Sequence, residues 1–253
     1  MKKDKKETSI PWHKNKLKVG GFLLAILLTA FTLRVTNIEN IPYSVFPDEA
    51  QNGIDAQEAN ATGEYKLFYE SNNGREGLFI NLQALSIKTF GSTTFALKLP
   101  SIIFGTLTVL GVFLLSSELF GTYVAGLIGA YLTTFSYWAI NFSRIGFRAV
   151  MVPFILTFAF YFVFRGLRTK KLHDFIFAGL VYGLGLHTYI AFRVSPLVLI
   201  ALFVSLIITR ENFLKNFWKH ILVFAIAMMI TSAPMLLDFF HWNPQHYASR
   251  TKE

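Results

Sequence analysis

Two acidic side chains stand together in Phe46-Pro47-Asp48-Glu49-Ala50, just beyond the first long apolar run of the chain. A carboxylate at a membrane surface is equipped to act as general base on an acceptor hydroxyl. The same residues also suit a helix start, with Asp48 as N-cap, Gln51 completing a capping box and Glu49 in a favourable first turn. Read alone, the pair supports capping as readily as catalysis.

Arginines are the second group equipped for chemistry. Nine of the 24 basic residues are arginine, and six of them (Arg34, Arg75, Arg144, Arg148, Arg193 and Arg250) fall on the side of the chain that carries the acidic pair. A planar guanidinium binds phosphate in bidentate fashion, so arginines near span ends suit a lipid phosphate or diphosphate. Headgroup anchoring and pairing with nearby acids account for any one of them equally well. His187 and Tyr189 sit near the same ends, where an ionisable residue is costly unless it faces a bundle interior or a wet cavity. Hydrogen bonding between helices is their alternative use. Asp238, His241, His246 and Arg250 gather near the carboxyl end without a metal-ligand spacing, so a divalent metal has only weak support.

These residues need elements to hold them. The chain of 253 residues is 53% hydrophobic and contains 27 Phe, which places it among integral membrane proteins. Apolar stretches fall at 19–36, 99–119, 123–141, 149–165, 175–192, 194–209 and 221–240, giving an all-α polytopic protein of about seven transmembrane helices. Seven lysines precede residue 19; this basic leader, 1–18, places the amino terminus in the cytoplasm and the acidic pair outside. The net charge of +9 sits beside the apolar runs, where it sets topology, so nucleic acid is not an expected partner. With no cysteine, disulfides and thiol chemistry are excluded. The first outward loop, 37–98, is the longest non-spanning segment and is expected to hold two helices lying along the membrane, at about 49–61 and 77–90, joined by the turn Asn72-Asn73-Gly74. The module 19–253 ends soon after its last span and reads as the front part of something longer.

Several segments occur in the order of a known family: Phe46-Pro47-Asp48-Glu49-Ala50, Asn72-Asn73-Gly74-Arg75-Glu76-Gly77-Leu78-Phe79 and Leu97-Lys98-Leu99-Pro100-Ser101. They are followed by Glu118-Leu119-Phe120-Gly121, Ser136-Tyr137-Trp138, Ser143-Arg144-Ile145-Gly146-Phe147-Arg148, His187-Thr188-Tyr189 and Arg193. On these residues the chain resembles a GT-C membrane glycosyltransferase of the family 39 type, in the bacterial branch related to protein O-mannosyltransferases and aminoarabinose transferases.

The resemblance implies an inverting transfer at the outer face of the cell membrane. The donor would be a polyprenyl-phosphate-linked sugar, and the acceptor an extracytoplasmic protein, lipid or glycan. It implies Asp48 as base, Glu49 as an orienting group and Arg75 as the grip on carrier phosphate. Arg144, Arg148, His187, Tyr189, Arg193 and Arg250 are the further candidates for binding phosphate or sugar. The second outward loop lacks the acid found in many relatives, which weakens a metal-assisted variant. The alternative is a non-catalytic or truncated membrane module that binds polyprenyl lipid or assembles with a partner half.

Overall fold

A computed structural model describes residues 16–248; Arg250 lies outside the described residues. Five helical segments are long and apolar enough to cross a membrane: Lys16–Val35, Thr94–Phe120, Arg148–Thr169, Ile190–Thr209 and Phe213–Trp242. Contacts between distant segments show that the chain passes between the two ends of the bundle seven times. Arg34 meets Ser143 and Arg193 meets the Tyr247 carbonyl at the end that holds the acidic pair. At the other end Arg168 meets Glu118 and His220 meets the Lys170 carbonyl.

The third and fifth passes differ from the unbroken apolar runs of the sequence. The stretch 123–141 is two helices, α5 (Tyr123–Thr134) and α6 (Tyr137–Arg144). Thr133 and Thr134 bond back to the carbonyls of Gly129 and Ala130, a habit that bends helices, and Ser136 is extended. The stretch 175–192 begins as α8 (Leu172–Leu184) and continues as the 3₁₀ turns Gly185–His187 and Ile190–Val194. There the Phe192 ring folds onto Gly185, whose missing side chain leaves the room: a Cβ would lie 2.1 Å from the ring. The largest apolar core joins α7 (Met151–Thr169), α8 and α10 (Phe213–Leu237), through Phe175, Tyr182, Phe217 and Phe224.

Between α1 (Lys16–Val35) and α4 (Thr94–Phe120) the loop folds as α2 (Pro47–Thr62), a two-strand ribbon and α3 (Gly77–Phe90). The ribbon pairs β1 (Phe68–Tyr69) antiparallel with β2 (Arg75–Glu76), so Tyr69 faces Arg75 and Phe68 faces Glu76. It closes through Asn72, Asn73 and Gly74, all at positive φ, a region that Asn and Gly tolerate best.

Helix α2 starts earlier than the capping reading of Asp48 and Gln51 required. Phe46 is the N-cap and Pro47 begins the helix, so Glu49 occupies the third helical position and accepts from the Phe46 N–H at 3.3 Å. Proline is suited to that first position because its absent N–H would have no helical partner. Gln51 instead donates to Asp55, one turn on. Helix α4 likewise starts at Thr94, capped by Thr93, which moves Lys98 from the loop end into the beginning of a spanning helix. Pro100 lies inside α4 and cannot donate to the carbonyl four residues before it. That carbonyl, of Ala96, accepts from the Ser86 hydroxyl at 2.6 Å, and the neighbouring Leu97 carbonyl accepts from Gln83 at 2.8 Å. The proline thus opens one of the two backbone sites on which α3 docks.

Candidate active site

The acidic pair divides into one accessible and one buried carboxylate. Asp48 is partly exposed at the start of α2, and its Oδ1 accepts from Asn72 Nδ2 at 2.8 Å. The left-handed turn of the ribbon is what brings Asn72 there. Glu49, 1% exposed, points inward, with Oε1 at 3.9 Å from the ammonium of Lys98, which is fully buried. Neither Glu49 Oε1 nor Lys98 Nζ has a hydrogen-bond partner among the described residues. The loop between α6 and the helix after it closes over this carboxylate at Gly146, where φ is +62° and a Cβ would lie 2.6 Å from Oε1. Burial pushes the Glu49 carboxyl up to about 7, against the opposing pull of Lys98 and the Phe46 N–H. A carboxyl poised near neutrality is able to exchange a proton or hold a charge with little bias.

A second cluster forms around Glu76, at the end of β2. Its two oxygens face Arg148 at 3.9 Å and Arg193 at 3.4 Å, bringing together three elements far apart in sequence. The Arg148 guanidinium also lies over the Tyr189 ring at 5.3 Å. Arg193 is held between the rings of Phe239 and Tyr247 and donates to the Tyr247 carbonyl at 3.1 Å. Tyr189 reaches from this cluster into an apolar cleft of about 280 Å³, whose other walls include Gly105, Phe142, Val150 and Pro153. The loop 145–148 connects both clusters, since Gly146 touches Glu49 and Arg148 meets Glu76.

Three of the candidates have their polar groups engaged by the protein itself. Arg75 is 1% exposed, and its guanidinium donates to Asn52, Asp55 and Ser71. It pins the ribbon to α2 and presents no open edge to a carrier phosphate. Arg144 donates to the carbonyls of Leu33, Arg34, Thr36 and Ile41, capping the end of α1 where helical carbonyls lack partners. His187 donates from Nε2 to the Thr231 carbonyl at 2.8 Å, the interhelical bond that was its alternative use. Asp48, Glu49, Arg148, Tyr189 and Arg193 remain grouped on the two clusters.

Lys98 and Glu76 complete these clusters and were not singled out from the sequence. A lysine in the first turn of an apolar span was the available signal for Lys98; Glu76 had none, because its arginines lie more than 70 residues away. His246 was noted together with Asp238, which is one of its partners; Glu70, the other, was not. Its Nδ1 meets Asp238 at 2.7 Å and its Nε2 meets Glu70 at 3.0 Å, with the ring stacked on Phe68. No group of three or more His, Asp or Glu arranged to hold a metal ion occurs among the described residues.

Comparison with known proteins gives one result. The profile of the family described as dolichyl-phosphate-mannose-protein mannosyltransferase matches residues 78–237, covering α3 to the end of α10 and therefore Lys98, Arg148, Tyr189 and Arg193. No curated protein matches the chain.

Proposed function

The chain belongs to the dolichyl-phosphate-mannose-protein mannosyltransferase family of membrane glycosyltransferases, and from that premise we propose that it transfers a sugar from a polyprenyl-phosphate donor to an extracytoplasmic hydroxyl, with inversion. The observation that carries this reading is the split acidic pair, with Asp48 accessible beside Asn72 and Glu49 buried against Lys98. In the reaction the acceptor oxygen forms a bond to the anomeric carbon as the bond from that carbon to the phosphate oxygen breaks. The electron pair leaves with the polyprenyl phosphate, and the acceptor proton passes to Asp48. Glu49 acts as a positioning residue, since its bond to the Phe46 N–H fixes the first turn of α2, from which Asp48 projects.

The phosphate role falls to Arg148 and Arg193 rather than Arg75. Both lie against Glu76, which brings two guanidinium groups to one point of the site. The apolar cleft at Tyr189 adjoins them and has the character of a seat for the first isoprenoid units of a carrier. The test is Asp48→Asn in the full chain, assayed against a panel of polyprenyl-phosphate hexoses and pentoses. The expected result is a loss of transfer of about 100-fold or more, the usual contribution of a general base, with unchanged thermal unfolding. Retained transfer by the Asn variant would remove Asp48 from the mechanism.

A further inference from the structure

The end of the bundle opposite the acidic pair holds a cleft that the transfer reaction does not use. Glu118 lies 20 residues beyond Lys98 along α4, about 30 Å of helix, which is the thickness of a bilayer core. There α1, α4, α5 and α7 surround a cleft of about 530 Å³. Lys16, Arg165 and Arg168 line it with Glu118 as the one acid, a net charge of +2 (three cations less one carboxylate). Tyr123, Tyr161 and Ser117 add hydroxyls, and Phe113 and Leu114 supply an apolar wall.

The internal pairs consume part of this charge and, with Asp174 counted beside Glu118, leave one positive charge over (three cations less two carboxylates). Arg168 forms a two-point pair with Glu118, and Arg165 lies 3.5 Å from Asp174 while donating to the Tyr161 hydroxyl. Lys16 makes no ion pair among the described residues. Ser117, only 5% exposed, has a hydroxyl without a hydrogen-bond partner, although buried hydroxyls are ordinarily satisfied. A net positive, donor-rich cleft excludes a metal cation and calls for an anion with several acceptor oxygens. Its volume exceeds that of a bare phosphate, and its apolar wall continues into the spanning helices.

We propose that this cleft binds a phosphate group at the inner membrane surface, carried by the headgroup of an anionic phospholipid. Lys16 and Arg165 supply the contacts that no internal carboxylate fully claims, and Phe113 with Leu114 receives the start of an acyl chain. The same chemistry would accept a free phosphate, and the measurement separates the two sources.

The full chain, purified in neutral detergent, is titrated with micelles containing phosphatidylglycerol or phosphatidylcholine, and separately with inorganic phosphate. Retained lipid is counted by native mass spectrometry, and thermal unfolding is followed in parallel. Phosphatidylglycerol should be retained in preference to phosphatidylcholine, and Lys16→Gln and Arg165→Gln should each weaken retention about five-fold, as expected for one basic residue at a membrane surface. Lys16→Gln leaves every described ion pair intact, so it reports on binding even where Arg165→Gln disturbs folding. The double variant Lys171→Gln/Lys215→Gln removes twice the charge of either single variant, outside the cleft, and should leave retention unchanged. Stabilisation by inorganic phosphate alone, lost in Lys16→Gln, would support the anion site and assign it to a soluble phosphate. Equal retention of the two lipids with no effect of phosphate, or equal losses in the cleft and control variants, would overturn the proposal.

Discussion

The two ends of the bundle use the same residue types to opposite effect. At the end bearing the acidic pair, Glu49, Lys98, Glu76 and Arg148 are all at most 2% exposed, and their ion pairs stand 3.4 to 3.9 Å apart. At the other end the pairs are shorter or reach solvent, with 58% of the Arg168 side chain exposed. Short exposed pairs are anchors of small individual worth. Buried charges held at long range are costly to maintain. The difference separates an end whose charges are buried from one whose charges reach solvent.

That contrast predicts a ranking of effects. Lys98→Met should be the most damaging to stability, by about 3 kcal/mol, because it leaves Glu49 buried with no counter-charge. Thermal unfolding in detergent reads this directly, and Glu49→Gln/Lys98→Met together should recover most of the loss. Wild-type stability in the single Met variant would mean that the pair is no strut.

The pH dependence follows next in size. Glu49 has its carboxyl raised from 4.5 in the unfolded chain to about 7, so the folded state holds the proton more tightly. Its contribution to stability is therefore full below pH 4.5 and is lost as pH climbs to about 7. The slope across that window should flatten in Glu49→Gln; an unchanged slope would assign it to other groups. At the opposite end, Arg168→Gln should cost only about 1 kcal/mol or less, and a loss matching that of Lys98→Met would erase the comparison.

The smallest effect expected is at His246. Burial alone would lower its pKa, but the hydrogen bonds to Asp238 and Glu70 carry it above the ordinary histidine value. Its stabilisation is complete below pH 6.5 and disappears as pH rises through the elevated value. In His246→Gln the alkaline part of the unfolding profile should lose that decline, a difference measurable by thermal scans on either side of neutrality.

The spanning helices were legible because apolar runs betray their length, and the ribbon turn because Asn72-Asn73-Gly74 suits positive φ. The break between α5 and α6 was not, since hydropathy continues across Phe135 and only the backbone preferences of Thr133 and Thr134 speak for it. Pro47 as the first helical residue was a readable signal for the true start of α2, outweighed by the stronger capping chemistry of Asp48. Within the site, the adjacency of Asp48 and Glu49 was plain, and the arginines on that side formed a recognisable set. Which arginines serve structure and which face the site depended on partners scattered over the chain, as with Arg144 and the carbonyls near residue 36. A single sequence carries periodicity but no record of such pairings.

The docking of α3 through Ser86 and Gln83 acts as a key. An apolar contact alone would let α3 slide along α4 at little cost, since one oily surface resembles the next. Two side chains seated on two particular carbonyls, one of which Pro100 makes available, permit one register. A shift by a single turn would strand both bonds in a dry interior. Because α3 begins directly after Glu76, that register also fixes where Glu76 stands relative to Arg148 and Arg193, and a proline on one helix thereby indexes charges lying beyond the start of another.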